Sequence, residues 1–129
     1  MKVLALDYGA ARIGVAMGDT LQRIAFPRGV IAAKEALVDI ASLCKEEDVG
    51  LIVIGLPLTL QGEIGHQAQD VQGFAETLCA ATGIEMRFID ERLTSSEAVT
   101  RARESGRTID EIAAVIILET FFQTFDAET

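Results

Sequence analysis

The chain contains no tryptophan, one tyrosine, one histidine, two cysteines and two prolines among its 129 residues. These shortages exclude several chemistries. His66 is the only histidine, and it reads as a surface residue in a loop or at a helix start, so no Ser-His-Asp arrangement competes. Cys44 and Cys79 belong to no close Cys or His cluster. That pattern argues against a zinc site or a disulfide framework and suits two small buried side chains in a reducing compartment. No linker, repeat or low-complexity tract interrupts the sequence, and residues 1–129 read as one domain. Basic residues are also few. Eleven Lys and Arg stand against twenty Asp and Glu, for a net charge of -9. That balance argues against loose, charge-driven adhesion to nucleic acid, though it leaves room for a local basic rim. Long hydrophobic runs are missing. The opening run Val3-Leu4-Ala5-Leu6 is cut at Asp7, too early for a signal peptide or a membrane span. The expected location is the cytoplasm, with no membrane partner.

Hydrophobic residues make up 50% of the chain, enough for a core without metal or disulfide staples. Val3 to Asp7 is apolar on both faces and predicts a central strand covered on both sides. Arg12 to Asp19 alternates and predicts a second strand. Arg23 to Ile31 predicts a third, and Pro27 makes it an edge or bulged strand. Connections this short require an antiparallel meander. A helix follows over Lys34 to Glu47, with Leu37, Ile40, Ala41 and Cys44 on one face and Gly50 ending the unit. Leu51 to Leu56 reads as a buried parallel strand, Pro57 to Gly65 as a loop, and His66 to Ala81 as a helix stopped by Gly83. Met86 to Asp90 reads as another strand. Thr94-Ser95-Ser96-Glu97 and Thr108-Ile109-Asp110-Glu111 fit capping boxes for two helices, the second running to about Phe122. The order of three strands, helix, strand, helix, strand and two helices predicts an α/β fold. It is the RNase H-like mixed five-stranded sheet, an antiparallel meander plus parallel strands, with helices on both faces.

Three acids sit in costly places. Asp7 ends the most buried strand, where an ionised carboxylate needs a partner or a cation; a turn aspartate bonding to nearby amides is the ordinary alternative. Asp90-Glu91 ends another strand, and the ordinary alternative is a loop acid paired with Arg92. Asp110 lies three and four residues before Ala113 and Ala114, so it begins the apolar stripe Ala113, Ala114, Ile117, Leu118 and Phe121. It also suits the helix dipole as a first-turn acid. Strand-end acids from two parallel neighbours and an inward acid at a helix start can converge at one sheet edge. Such carboxylates repel one another unless a cation binds. Mg²⁺ or Mn²⁺ is the natural partner of an all-oxygen set, and a pair of such ions can hydrolyse a phosphodiester.

The residues also resemble a known family. Leu4-Ala5-Leu6-Asp7-Tyr8-Gly9 with Arg12-Ile13-Gly14-Val15-Ala16 looks like the opening motif of the YqgF (RuvX) family. Gly55-Leu56-Pro57-Leu58 with Gly62, Gly65 and Gln67-Ala68 resembles its second motif. Asp90-Glu91-Arg92-Leu93-Thr94-Ser95 resembles the third, and Ile109-Asp110-Glu111-Ile112-Ala113-Ala114 followed by Ile116-Ile117-Leu118 the fourth. The blocks occur in the family's order over nearly the whole chain. The resemblance implies an RNase H-like fold and a divalent-metal nuclease. It is associated both with Holliday-junction resolution and with maturing the 5′ end of 16S ribosomal RNA. It maps the acidic site onto Asp7, Glu91 and Asp110, with Asp90 the less certain neighbour.

One departure stands out. Glu104-Ser105-Gly106-Arg107 carries a single basic residue where the family commonly carries several. Arg12, Arg92 and Arg107, with Arg101 and Arg103, remain as a rim for substrate phosphates. The leading expectation is a nuclease on structured RNA, with precursor ribosomal RNA favoured and branched DNA the alternative substrate. A non-catalytic RNA- or protein-binding module on the same fold is the reading of another class. An actin-like ATPase also uses an Asp-x-Gly turn, but this chain is too short to supply its second lobe. Nothing in the sequence fixes an oligomeric state.

Overall fold

The computed structural model describes residues 1–93 and 95–128, and of these the side chains of 93, 95–97, 99 and 125–128 lie outside the description. Among the described residues five strands and four α-helices follow in chain order: β1 (Lys2–Tyr8), β2 (Arg12–Asp19), β3 (Ala25–Ala32), α1 (Ala36–Glu47), β4 (Val49–Leu56), α2 (His66–Thr82), β5 (Glu85–Asp90), α3 (Ser95–Ser105) and α4 (Ile109–Glu128). The sheet order is β3-β2-β1-β4-β5. β1 pairs antiparallel with β2, and β2 with β3; β1 pairs parallel with β4, and β4 with β5. This is the mixed five-stranded sheet that the element order predicts.

Alternation along β1 divides the core into two layers. Leu4 and Leu6 join Ile40 and Cys44 of α1 and Val71 and Leu78 of α2 on one face. Val3 and Ala5 join Ile117, Leu118 and Phe121 of α4 on the other. Because β1 is buried on both sides, its residues need no polar alternation, hence the unbroken apolar run. A smaller cluster joins Ala98 and Ala102 of α3 to Ile112 and Ile116 of α4. Helix α4 is thus buried along two flanks, one on the sheet and one on α3.

Pro27 marks both features expected of it. β3 is an edge strand, and the β2–β3 register shifts between Gly14 and Ala16. An edge strand tolerates a proline because only one of its sides must supply ladder hydrogen bonds.

Several boundaries differ from the sequence reading. The third strand starts at Ala25 rather than Arg23, because Arg23 turns in a left-handed conformation and its N–H bonds to the Asp19 carbonyl. The first helix ends at Glu47 as expected, but a left-handed Asp48 rather than Gly50 stops it. Asp tolerates that conformation because its short polar side chain can bond locally, and Gly50 belongs to β4. Residues 33–35 form a separate 3₁₀ turn before α1. Helix α4 runs to Glu128, past its expected end at about Phe122. Cys44 is buried as expected, but Cys79 is exposed on the outer face of α2. The capping box at Thr94–Glu97 lies outside the described residues. No helix among the described residues is long and apolar enough to cross a membrane.

Ile117 is fully buried between α4 and the sheet. Ile117→Ala is expected to lower stability by about 2–5 kcal/mol, the usual cost of a buried large-to-small change, read by urea unfolding.

Candidate active site at the carboxyl edge of the sheet

The strands β1, β4 and β5 all end at one edge of the sheet, and the three predicted acids arrive there by different routes. Asp7 comes with β1 and, by alternation, faces the same side as Val3 and Ala5, toward α4. Its ladder partner on β2 is Gly14. On the other side, the pairing of Leu6 with Ile54 brings Gly55 of β4 alongside. Asp7 therefore lies between two positions that carry no side chain.

Each gap is filled by another acidic segment. A Cβ on Gly14 would run into the backbone carbonyl of Asp110. The first turn of α4 lies directly on β2 for that reason, and it carries Asp110 to the site. Thr108 fixes this turn, since its Oγ1 accepts the Glu111 N–H at 3.3 Å. A Cβ on Gly55 would run into the carboxylate of Glu91. Glu91 follows β5 and crosses β4 through that gap to share a hydrogen bond with Asp7. The expectation that these two acids sit on neighbouring strands is corrected here: β4 lies between them, and the missing side chain of Gly55 lets Glu91 reach across.

Burial dominates the electrostatics. It raises the proton affinity of Asp7; the hydrogen bond from Glu91 opposes this, and the charge of Asp110 adds to it. Glu91 is pushed up to about 8, first by burial, then by the hydrogen bond and charge of Asp7, and then by the charge of Asp90. The pair is thus a carboxylic acid donating to a carboxylate at neutral pH. Asp110 is turned the other way. Its Oδ2 accepts a hydrogen bond from Arg12 Nε at 2.5 Å. Among the described residues no three acids stand ready-made as a metal-ligating group; the site is a buried pair plus a third acid held by an arginine.

Asp90 and Glu91 separate clearly. Asp90 points to Arg92, accepting from its Nε, from its NH2 at 2.6 Å and from its backbone N–H at 3.0 Å. These bonds hold the Asp90 carboxyl below its ordinary range. Arg92 NH1 also reaches the Leu60 carbonyl at 3.4 Å. Gly62, at φ +82, turns its bare Cα toward the same guanidinium. Arg92 therefore fastens the loop between β4 and α2 to the end of β5, while Asp90 neutralises it.

The remaining basic candidates are scattered. Arg107 NH1 lies 3.8 Å from Glu111 Oε1, near the start of α4. Arg101 pairs with Glu119 at 2.7 Å, about 13 Å along the helix from Asp110 at 1.5 Å per residue, too far for the rim. Arg103 is exposed on α3. His66 is the exposed first residue of α2, as expected. The sequence reading gives Gly14 and Gly55 no role beyond motif membership. No local signal marks that role, since it depends on what packs over each glycine in the folded chain.

The fold is of the RNase H-like class, and Asp7, Glu91 and Asp110 at its carboxyl edge form the candidate site. The family model described as "RuvX: Holliday junction resolvase" matches residues 1–124. The chain is 43% identical over 129 aligned positions to a Chloroflexus aurantiacus protein named "Putative pre-16S rRNA nuclease", covering 92% of this chain and 84% of that protein. It is 40% identical to an Anaeromyxobacter protein of the same name, covering 92% and 94%. Two solved structures share the fold: Thermus thermophilus RuvC in complex with a Holliday junction substrate (TM-score 0.68, 12% identity, 98% and 96% covered) and the fowlpox virus Holliday junction resolvase (TM-score 0.60, 10% identity, 96% and 99% covered). This chain belongs to the RuvX family.

The two glycines differ in what a methyl group would meet. At Gly55 it meets the flexible end of Glu91; at Gly14 it meets backbone. Gly55→Ala is expected to keep a melting temperature close to wild type while displacing Glu91 from Asp7. Gly14→Ala must shift α4 and is expected to lose at least about 1–3 kcal/mol, the scale of overpacking. Thermal unfolding of the two variants distinguishes the cases.

A pH test follows from the buried pair. In the cation-free protein the folded state holds the Glu91 proton to about pH 8, while the unfolded chain releases it near 4.5. Across that window the folded state binds more protons, so this group's contribution to stability falls as pH rises. Glu91→Gln removes that contribution. Its melting temperature without divalent cations is expected to fall less than wild type's between pH 5.5 and 8.5; equal losses would refute the buried shared proton.

Proposed function

We propose that this protein is a divalent-cation-dependent nuclease that hydrolyses phosphodiester bonds in structured RNA in the cytoplasm, with the 5′ end of precursor 16S ribosomal RNA as its substrate. The observation that carries this reading is the convergence of Asp7 and Glu91 across Gly55, with Asp110 delivered over Gly14. The names of the curated relatives support the substrate.

The donor set fits a hard cation. It is all oxygen, and its buried pair retains a proton where a cation would otherwise compensate the charge. Asp7, Glu91 and Asp110 would hold Mg²⁺ or Mn²⁺, which supplies an activated water and neutralises the charge that builds on the phosphate. The chain must make two changes to close the set. Glu91 gives up the proton it shares with Asp7, and Asp110 leaves Arg12. The second change costs little, because the Arg12 side chain is 67% exposed and exposed ion pairs contribute at most about 1 kcal/mol. Arg12 is then released beside the site, where its planar guanidinium suits a phosphate oxygen.

Arg107, at the start of α4, supplies a second phosphate contact. Arg92 contributes at the rim and shapes it through its hold on the loop. With a net charge of -9, long-range attraction for RNA is weak, and binding depends on these local contacts.

The test is cleavage of a precursor 16S RNA 5′ fragment and of a four-way DNA junction in Mn²⁺, with product mapping. Wild type is expected to cut the RNA. Asp7→Asn and Asp110→Asn are expected to lose at least about 100-fold, the scale of removing one pre-organised charge-stabilising group. Equal cutting by all three proteins would defeat the assigned roles. Selective cutting of the junction would move the substrate to DNA. Partner binding that survives in Asp7→Asn, with neither substrate cut and no Mn²⁺ bound, would favour a non-catalytic module.

A further inference from the structure

Beneath the acidic site, at the same sheet edge, lies a cavity of about 500 Å³ lined by Tyr8, Pro57, Gln67, Asp70, Val71 and Glu91 among others. Alternation along β1 sends Tyr8 to the face opposite Asp7. There its ring packs on Phe74, with centroids 4.8 Å apart, so the ring is backed by α2 and held in place. Val71 is buried and forms an apolar floor, and Pro57 adds an apolar wall. The polar groups are of a particular kind. Gln67 offers an amide that both donates and accepts, and Asp70 offers acceptors only.

These walls select against phosphate. Among the described residues none lining the cavity is basic, and two are carboxylic acids. They suit a flat ring with hydrogen-bonding edges, and the volume falls within the range of about 300–1,000 Å³ that holds small ligands. Glu91 belongs both to this cavity and to the buried pair with Asp7. Whatever occupies the cavity therefore adjoins the reacting phosphate.

We propose that this cavity receives the unpaired base of the nucleotide flanking the scissile phosphate, with Tyr8 as its stacking surface and Gln67 and Asp70 reading its edge. The proposal rests on the nuclease reading of the neighbouring acids. A base inside a duplex cannot enter, so the enzyme cuts next to an unpaired or flipped nucleotide. Because Asp70 only accepts, the site favours a base that presents adjacent N–H donors, as guanine does.

The experiment uses RNA oligonucleotides with one cleavage site in Mn²⁺. The nucleotide on each side of the cut is varied in turn through the four bases and an abasic residue. Within each protein, kcat/KM for the intact RNA is divided by that for the abasic RNA, so a partly folded variant still gives a valid ratio. For wild type the ratio is expected to be about ten or more on one side of the cut, the scale of base stacking on an aromatic ring, with guanine preferred there. Tyr8→Leu and Gln67→Ala are expected to bring the ratio toward one, and Asp70→Asn to remove the guanine preference. Wild type that cuts abasic and intact RNA equally on both sides overturns the base site. Hydrolysis of methyl p-nitrophenyl phosphate, which has no base, is measured alongside. If it proceeds while the abasic ratio is one, the base site alone has failed; if neither it nor RNA is hydrolysed, the nuclease reading has failed.

Discussion

Asp7 lies between two strand positions without side chains, Gly14 on β2 and Gly55 on β4; Glu91 reaches it across the second gap, and the backbone of Asp110 is seated over the first. The constraint is steric. In a close-packed sheet a side chain at either position would fill the space above its neighbour. Gly14 instead admits the backbone of α4, and Gly55 admits the carboxylate of Glu91. The positions of Asp110 and Glu91, the docking of the last helix and the electrostatics of the pair all depend on these two openings.

The arrangement opposes stability. Two carboxyl groups are held together in a partly buried site, and the folded chain meets the cost by retaining a proton on Glu91. A third acid stands close enough for its charge to be felt by Asp7, and Arg12 compensates it from the exposed side. The two apolar layers around β1 supply the stability that tolerates this. The acids are thus satisfied by a shared proton and by one exposed arginine, on a central strand packed on both faces.

The loop between β4 and α2 belongs to the same system. Arg92 is bound from one side by Asp90 and grips the Leu60 carbonyl on the other. Its neighbour Glu91 crosses to Asp7 in the opposite direction. Three consecutive residues thus divide their work: one neutralises, one enters the site and one holds the loop whose Pro57 walls the cavity beneath.

The sequence by itself determined the element order, the buried strand at Val3 to Asp7, the edge or bulged character of the strand with Pro27, the cap at Thr108, and that acids stand at the ends of two strands and at the start of the last helix. Each of these follows from local chemistry: alternation, a missing N–H, a hydroxyl next to open amides, or a charge at the end of an apolar run. Only the tertiary structure decided the rest. The strand order separates Asp7 from Glu91 by β4, and no periodicity along the chain encodes which strands become neighbours. Asp90 and Glu91 are adjacent and chemically alike, so their division depends on which way the turn after β5 throws each side chain. The roles of Gly14 and Gly55 were hidden for the same reason: a glycine in a sequence shows that something is absent, and only the packed chain shows what occupies the space.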